Sequence, residues 1–303
     1  MARQQTAHFL ALLKQFCPVL RSMDVFEEHV IVTTGDAVQN RPLAEIGGKG
    51  LFAKEIHESL LAGRIDFAVH SLKDLETTLP PGIALACTLK REDARDALIL
   101  PPGRGAAEAG DPYSALAQGA RIGSASVRRQ AQLKHARPDL EFVLLRGNVG
   151  TRLGKVESGE LDATLLAYAG LRRLGLADKA SIVLNPELMV PSACQGIVGI
   201  TVRSEDTELL ELLSGIEDPE AKAVATAERA LLGALDGSCR TPIGGYARLL
   251  EDGSLHLTGL VARADGTFLL KRTATCAVAD AEEMGRELGL SLKADSPDDI
   301  FLP

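Results

Sequence analysis

AGRIDFAV at residues 62–69 and SGELDATL at residues 158–165 share one pattern. In each, a glycine suited to a helix C-terminus precedes a strand-like run. The two runs continue into HSLKD (70–74) and YAGL (168–171), so a loop of polar or small residues is expected beyond each strand. The pattern predicts two similar α/β lobes, with a chance similarity over eight residues as the alternative. Ligands bind beyond the carboxyl ends of strands in open α/β sheets, so two facing lobes predict a cleft.

Helix and strand signals in the last third of the sequence predict a small α+β domain. Asp218 is a good N-cap, Pro219 suits the first helical position, and the helix is expected to run to about Leu235. Residues 236–237 (Asp-Gly) then end the helix, and strand-like segments follow at 246–250, 254–262 and 267–274.

Composition limits the classes of function. With 303 residues, 46% of them hydrophobic, the chain is long enough for two or three domains. A net charge of −8 argues against a general nucleic-acid binder. No apolar run is long enough to span a bilayer and no secretory signal is evident, so a cytoplasmic protein without membrane contact is expected. The five cysteines are scattered without a C-x-x-C pair, which predicts neither a disulfide framework nor a metal site.

Cations stand where helix starts normally favour acidic side chains. Lys49 precedes the helical pattern of residues 51–61, Arg128 and Arg129 follow a serine-rich turn, and Arg152 follows a glycine-asparagine turn. Cations combined with free backbone N–H groups and hydroxyls indicate a site for several anions. Because no Walker-type phosphate loop is present, carboxylates are favoured over nucleotide phosphates. A solvated basic face is the alternative for each cation taken singly.

Two further residues are candidates for a reactive role. Asp74 follows an apolar strand and lies beside Lys73, which would keep it ionised to stabilise a developing cation or to relay a proton; a surface ion pair is the alternative. Cys239 lies in a loop of small residues next to Arg240, which suits an exposed thiol. An inert, packed cysteine is the alternative for Cys239.

Several motifs together resemble one known family. They are GGKGLF (47–52), HSLKD (70–74), REDARD (91–96), SASVRRQ (124–130), LRGNVGTRL (145–153) and GSCRTPIGG (237–245). In this order and spacing, the chain resembles the porphobilinogen deaminase (hydroxymethylbilane synthase) family over nearly its whole length. The resemblance implies two periplasmic-binding-protein-like α/β lobes around a cleft, plus a small C-terminal α+β domain. It implies lobe 1 at 1–93 and 194–214, lobe 2 at 94–193, and a cofactor-attachment domain at 215–303, in a monomer.

The resemblance also implies the activity: a transferase of tetrapyrrole, porphyrin and haem biosynthesis. Such an enzyme joins four porphobilinogen molecules head to tail with loss of ammonia and releases hydroxymethylbilane. A dipyrromethane cofactor would be carried by Cys239 through a thioether, and Asp74 would be the catalytic aspartate. The residues expected to bind cofactor or substrate are Lys49, Ser71, Lys73, Ser124, Ser126, Arg128, Arg129, Arg146, Arg152 and Arg173.

The chain departs from the family pattern at its start. The family begins with a strand and loop of the type Arg-x-Gly-x-Arg-x-Ser-x-Leu-Ala, which has no counterpart before Met1. A misassigned start codon and a true truncation of lobe 1 are the two explanations. A non-catalytic two-lobed carboxylate-binding protein and an inactive paralogue are therefore the alternative functions. The presence of both Asp74 and Cys239 argues against the binder, and the intact motifs argue against the paralogue. Cys194, in place of an expected small residue, is assigned no role.

Overall fold

The computed structural model describes residues 1–23, 25–37, 52–103, 107–236 and 241–301. The helices and strands are, in chain order, α1 (Ala2–Phe16), α2 (Thr34–Ala37), α3 (Lys54–Leu61), β1 (Phe67–Ser71), β2 (Ile83–Thr88), β3 (Asp96–Ile99), β4 (Arg121–Gly123), α4 (Val127–Ala136), β5 (Glu141–Val143), α5 (Val149–Glu157), β6 (Ala163–Ala167), α6 (Tyr168–Arg173), β7 (Ile182–Val183), β8 (Val198–Arg203), α7 (Thr207–Ser214), α8 (Pro219–Ala234), β9 (Ile243–Leu249), β10 (Leu255–Ala262), β11 (Leu269–Cys276) and α9 (Ala281–Ala294). Short 3-10 turns lie at Pro18–Arg21, Leu72–Asp74, Pro112–Ala115, Ala177–Lys179, Val278–Asp280 and Asp298–Ile300.

The first lobe is built on a sheet of order β1-β8-β2, in which β8 is antiparallel to both neighbours. Its core joins α1 to β8, with Phe9, Leu13 and Ile200 almost wholly buried. β1 has one hydrogen-bonded neighbour among the described strands, and a groove of about 430 Å³ lies beside it, between α1 and residues 25–31. The interpretation of the chain start stays a prediction.

The second lobe carries a five-stranded sheet of order β5-β4-β6-β3-β7. β4 is parallel to β5 and β6, whereas β3 is antiparallel to β6 and β7. The carboxyl ends of β4, β5 and β6 therefore meet at one edge of the sheet. Both helix-glycine-strand patterns are confirmed, since Gly63 and Gly159 have φ values of 66° and 76° before β1 and β6.

The third unit packs α8 and α9 against the antiparallel sheet β11-β10-β9. α8 begins and ends as predicted: the Asp218 carboxylate accepts a hydrogen bond from the Ala221 N–H, and Asp236 follows the helix with φ 51°. The predicted class of two α/β lobes with a small α+β C-terminal domain is confirmed. Across the described residues, no helix is both long and apolar enough to cross a bilayer.

Three local predictions are corrected. Within the described residues the helix expected at 51–61 begins at Lys54. Residues 168–171, expected as a loop, begin α6, because Leu171 is fully buried on the helical face. β9 starts at Ile243, three residues earlier than expected. Its glycine pair looked loop-like, but a Cβ at Gly244 would lie 2.8 Å from Val190, so the glycines allow the crossing segment to pack on the sheet.

The contact between α8 and α9 depends on Gly285. A Cβ built there would lie 2.2 Å from the Ala227 carbonyl oxygen, whereas a Cβ at Gly233, on α8, would meet nothing within 4 Å. We expect Gly285→Ala to lower the free energy of unfolding by about 1–3 kcal/mol through overpacking. We expect Gly233→Ala to leave it unchanged or raise it by up to about 1 kcal/mol, because alanine favours the helix. Urea unfolding measures both; a Gly285→Ala variant as stable as the parent would contradict this packing.

Candidate functional site

The segment that carries Asp74 leaves the end of β1 as a single 3-10 turn. Leu72 and Leu75, on either side of the exposed Asp74, are buried in the core of the C-terminal unit. Lys73 is partly buried, and its Nζ donates to Gln195 Oε1 at 3.4 Å. Burial lowers the pKa of Lys73 and the neighbouring Asp74 opposes that change. The aspartate is thus held at the surface by two buried leucines and faces a cation.

Ser71, the last residue of β1, is engaged by the N-terminal helix. Its Oγ accepts a hydrogen bond from Gln5 Nε2 at 2.8 Å, and Gln5 is buried on α1. The contact fixes the position of the first helix against the strand that leads to Asp74.

The serine-rich turn of the second lobe lies at the carboxyl end of β4. Ser126 caps α4 by accepting from the Arg129 N–H, and the Ser124 Oγ accepts from the Ser126 N–H at 3.1 Å. Ser124 is buried, so its hydroxyl shapes the turn. The predicted serine cap is confirmed.

Arg128 and Arg129 bind an internal carboxylate. Each guanidinium approaches Asp96 at 2.8 Å, and Asp96 is fully buried at the start of β3. Gln195 Nε2 also donates to Asp96 Oδ1 at 2.8 Å. Burial alone would raise the pKa of Asp96, but the two arginines outweigh burial and hold it well below its usual range. These arginines, predicted to bind a ligand carboxylate, are therefore already paired with one inside the protein.

Arg146 and Arg152 lie close enough for their positive charges to repel each other. Arg146 Nη2 donates to the Gly35 carbonyl at 3.0 Å, and Arg152 Nε donates to the Gly147 carbonyl at 2.9 Å. Burial, together with Arg129 and Arg146, lowers the pKa of Arg152 to about 10, and Asp74 opposes that shift. Within the described part of the chain, no carboxylate lies within salt-bridge distance of Arg152. An anion bound next to Arg152 would offset the electrostatic repulsion between Arg152 and the neighbouring Arg129 and Arg146.

The remaining predicted residues lie apart from this group or outside the described residues. Arg173, on α6, donates from Nη2 to the Gly196 carbonyl at 2.6 Å, beside the segment that returns from lobe 2 to lobe 1. Lys49 and Cys239 lie outside the described residues. The structure thus groups Lys73, Asp74, Arg128, Arg129, Arg146 and Arg152 through their mutual electrostatic effects.

Comparison with known proteins decides the family. Residues 1–211 match the family model for the porphobilinogen deaminase dipyromethane cofactor binding domain, and residues 222–294 match the porphobilinogen deaminase C-terminal domain. The chain belongs to the porphobilinogen deaminase family. It is 46% identical over 271 residues to the porphobilinogen deaminase of Syntrophotalea carbinolica, an alignment covering 89% of this chain and 84% of the relative. It is 41% identical over 292 residues to that of Syntrophobacter fumaroxidans, covering 96% and 91%.

Solved structures give weaker matches. The VFT2 domain of Bordetella pertussis BvgS has a TM-score of 0.39 at 15% identity, covering 73% of this chain and 82% of that one. The arginine-specific periplasmic binding protein STM4351 of Salmonella typhimurium has a TM-score of 0.35 at 12% identity, covering 73% and 84%. Neither match carries an argument about this family member.

Sequence reasoning missed two buried carboxylates beside the site. Asp96 is the last residue of the REDARD motif (91–96). The sequence feature that could have revealed it is a charged residue at the start of the otherwise apolar strand Asp96–Ile99. Glu228 is fully buried on α8, where it pairs with Arg91 at 2.6 Å. The Cys194 N–H also donates to Glu228, at 2.5 Å, from a backbone with φ 61°. Burial raises the pKa of the Cys194 thiol to about 12, so the sulfur is chemically inert at neutral pH.

Asp96→Asn tests the internal carboxylate. Removing its charge leaves two buried guanidinium groups uncompensated, so we expect a loss of about 3–5 kcal/mol of unfolding free energy at neutral pH. The folded-state pKa of Asp96 lies below its unfolded value of about 3.9, so this stabilisation is present above that pH and is lost as the pH falls. The difference between parent and variant should therefore shrink on acidification.

Urea unfolding at pH 7 and at about pH 3 measures the effect. Asp139→Asn is the matched control, because Asp139 forms an exposed pair with Arg137 in the same lobe. If Asp96→Asn destabilised the protein no more than Asp139→Asn at pH 7, the internal role of Asp96 would be wrong.

Proposed function

We propose that the chain is a hydroxymethylbilane synthase that joins four porphobilinogen molecules head to tail, with loss of ammonia, and releases hydroxymethylbilane. The observation that carries the proposal is the arrangement of Arg152 and Arg146 near Asp74, where burial and like charge depress the pKa of Arg152. Each pyrrole unit brings carboxylates, so a growing chain needs several fixed cations beside one acidic group. Family membership supplies the substrate class.

The cleft residues fit a polycarboxylated cofactor. Among the described residues, Arg129 and Arg146 lower the pKa of Arg152 in addition to burial, and Asp74 opposes that change. We propose that Lys73, Arg146 and Arg152 hold carboxylates of dipyrromethane and substrate, with Lys49, Ser71, Ser124, Ser126, Arg128, Arg129 and Arg173 as further contacts. Cys239, outside the described residues, would bear the thioether. When bound, dipyrromethane supplies the pyrrole terminus to which porphobilinogen units are added.

The proposed work of the protein's own side chains is electrostatic and acid-base. Asp74 is exposed at the end of the β1 segment, where its carboxylate can stabilise positive charge on a pyrrole nitrogen and take part in proton transfer as ammonia leaves. The cations orient each substrate through its carboxylates, which lowers the entropic part of the barrier. Leu72 and Leu75 keep Asp74 at a fixed position relative to those cations.

The domain boundaries, the oligomeric state and the cellular location are part of the same proposal. We place lobe 1 at residues 1–93 and 194–214, lobe 2 at 94–193 and the cofactor-attachment domain at 215–303. The assignment of the three sheets to these ranges supports the division. A monomeric, cytoplasmic enzyme is proposed from the family resemblance. A non-catalytic binder is disfavoured because a binder does not need an acidic group among its cations.

Asp74→Asn tests the activity. The substitution keeps the shape but removes the charge, so we expect kcat for porphobilinogen consumption to fall by about 10²- to 10⁴-fold. Asp66→Asn is the control, since Asp66 is an exposed aspartate of the same lobe that pairs with Arg203. Release of ammonia and of hydroxymethylbilane is measured for the parent and both variants. A cofactor-loaded parent that fails to consume porphobilinogen, or an Asp74→Asn variant as fast as Asp66→Asn, would contradict the proposal.

A further inference from the structure

Arg229, on α8, reaches from the C-terminal unit to the segment that follows Asp74. Its Nη2 donates to the carbonyl oxygens of Glu76 at 2.7 Å and Thr77 at 2.9 Å. These carbonyls lie two and three residues beyond the aspartate. We propose that Arg229 is a positioning residue that sets the location of the Asp74 carboxylate for the reaction. The inference rests on the proposed function of this site.

α8 is itself fixed against lobe 1 at two other places. At its start the Asp218 N–H donates to the Thr88 carbonyl at 2.9 Å, at the end of β2. Near its C-terminal end Glu228 holds Arg91 and the Cys194 N–H. Arg229 is the neighbour of Glu228 and therefore extends from an anchored part of the helix. The hydrogen bond that closes the turn of a short loop does not fix where the loop lies relative to the rest of the protein. A contact from an anchored helix does fix that position.

The loop has apolar supports before and after the carbonyls that Arg229 binds, with Leu72 and Leu75 before them and the partly buried Leu79 after them. Leu72 and Leu75 pack into the same buried cluster as Val224 and Leu231 of α8. The Leu75 N–H closes the turn on the Leu72 carbonyl at 3.2 Å. Past Leu75 the backbone carbonyls turn towards α8 and accept from Arg229. The leucines therefore fix how closely the loop packs against α8, and Arg229 fixes the orientation of the backbone after Leu75.

The chemistry of the contact is unusual for a structural arginine. Within the described residues Arg229 has no salt bridge, and its acceptors are neutral carbonyl groups. It is half-buried, and burial lowers the pKa of its guanidinium. The charge of the Glu76 carboxylate opposes that lowering of the pKa, although the two side chains form no salt bridge among the described residues. The two hydrogen bonds of Arg229, both donated by Nη2, fix the orientation of two consecutive backbone carbonyl groups.

α8 also leads directly to the proposed attachment loop. The helix ends at Ala234, five residues before Cys239. One helix therefore connects the backbone of the Asp74 segment with the loop that would bear the cofactor.

Loss of the contact should alter turnover more than binding. A misplacement of about 1 Å in a catalytic group can lower the rate by roughly 10²-fold. Arg146 and Arg152 of lobe 2, which would bind carboxylates, make no described contact with Arg229, whereas Lys73 lies in the Asp74 segment, so KM should rise only slightly. We therefore expect Arg229→Met to lower kcat by about 10- to 100-fold, with KM changed by less than about threefold. Arg229→Lys, which can still reach one carbonyl, should recover part of kcat.

The matched control is Arg137→Met. Arg137 donates to the Tyr113 and Leu116 carbonyls at 2.8 and 3.2 Å, so it also fastens a loop through main-chain oxygens, but in lobe 2. Its loss should lower thermal stability without changing kcat.

Intact mass confirms that every variant carries the same adduct, and hydrogen exchange reports on the backbone. We expect faster exchange at residues 75–78 in Arg229→Met and parental exchange there in Arg137→Met.

The outcomes separate this inference from the proposed function. A parent that turns over porphobilinogen, with an Arg229→Met variant whose kcat and exchange match those of Arg137→Met, would overturn the positioning role. A rise in KM at unchanged kcat would also overturn it, because Arg229 would then act in binding. A loaded parent without turnover would instead contradict the proposed function, and exchange at residues 75–78 would still decide the structural part. If Arg229→Met does not fold, Arg229→Lys and Arg229→Gln provide the same comparison.

Discussion

The carboxylate of Glu228 holds the three parts of the molecule together. It is fully buried and accepts four hydrogen bonds: from Arg91 Nη1 at 2.6 Å, Arg91 Nη2 at 3.2 Å, the Cys194 N–H at 2.5 Å and the Ala247 N–H at 2.6 Å. Its partners lie on the two segments that connect the lobes and on β9. Because a buried carboxylate without partners costs several kcal/mol, this set must form as a unit. The positions of α8, β9 and the returning chain relative to Arg91 all follow from it.

A second buried carboxylate organises the other side of the same region. Asp96 begins the first strand of lobe 2 and draws together Arg128, Arg129 and Gln195. Gln195 also accepts from Lys73, so the network reaches the neighbour of Asp74. Asp96 and Glu228 thus offset part of the positive charge of the arginines that they bind. Among the described residues, Arg152 has no carboxylate within salt-bridge distance and is repelled by Arg129 and Arg146, so an incoming anion would stabilise it.

Local sequence patterns predicted the features that depend on neighbouring residues. The N-cap, proline and end of α8 were correct, and so were the two helix-glycine-strand units and the serine cap of α4. The partners of the buried charges were not predictable, because Arg91 and Glu228 are 137 residues apart and no local rule joins them. For Arg128 and Arg129 the pattern predicted a bound anion, and the carboxylate that both contact is Asp96, so their binding of a ligand stays a prediction. The glycine pair at the start of β9 looked like a loop, because close approach to Val190 is a tertiary effect.

In the proposed function, this arrangement of charges binds pyrroles that Cys239 holds covalently. Intact-protein mass of the purified chain, compared with Cys239→Ala, tests it most directly. We expect a mass increase equal to two linked porphobilinogen-derived pyrroles in the parent and none in the variant. A folded parent that stays at its bare mass, even after refolding with added porphobilinogen, would contradict it.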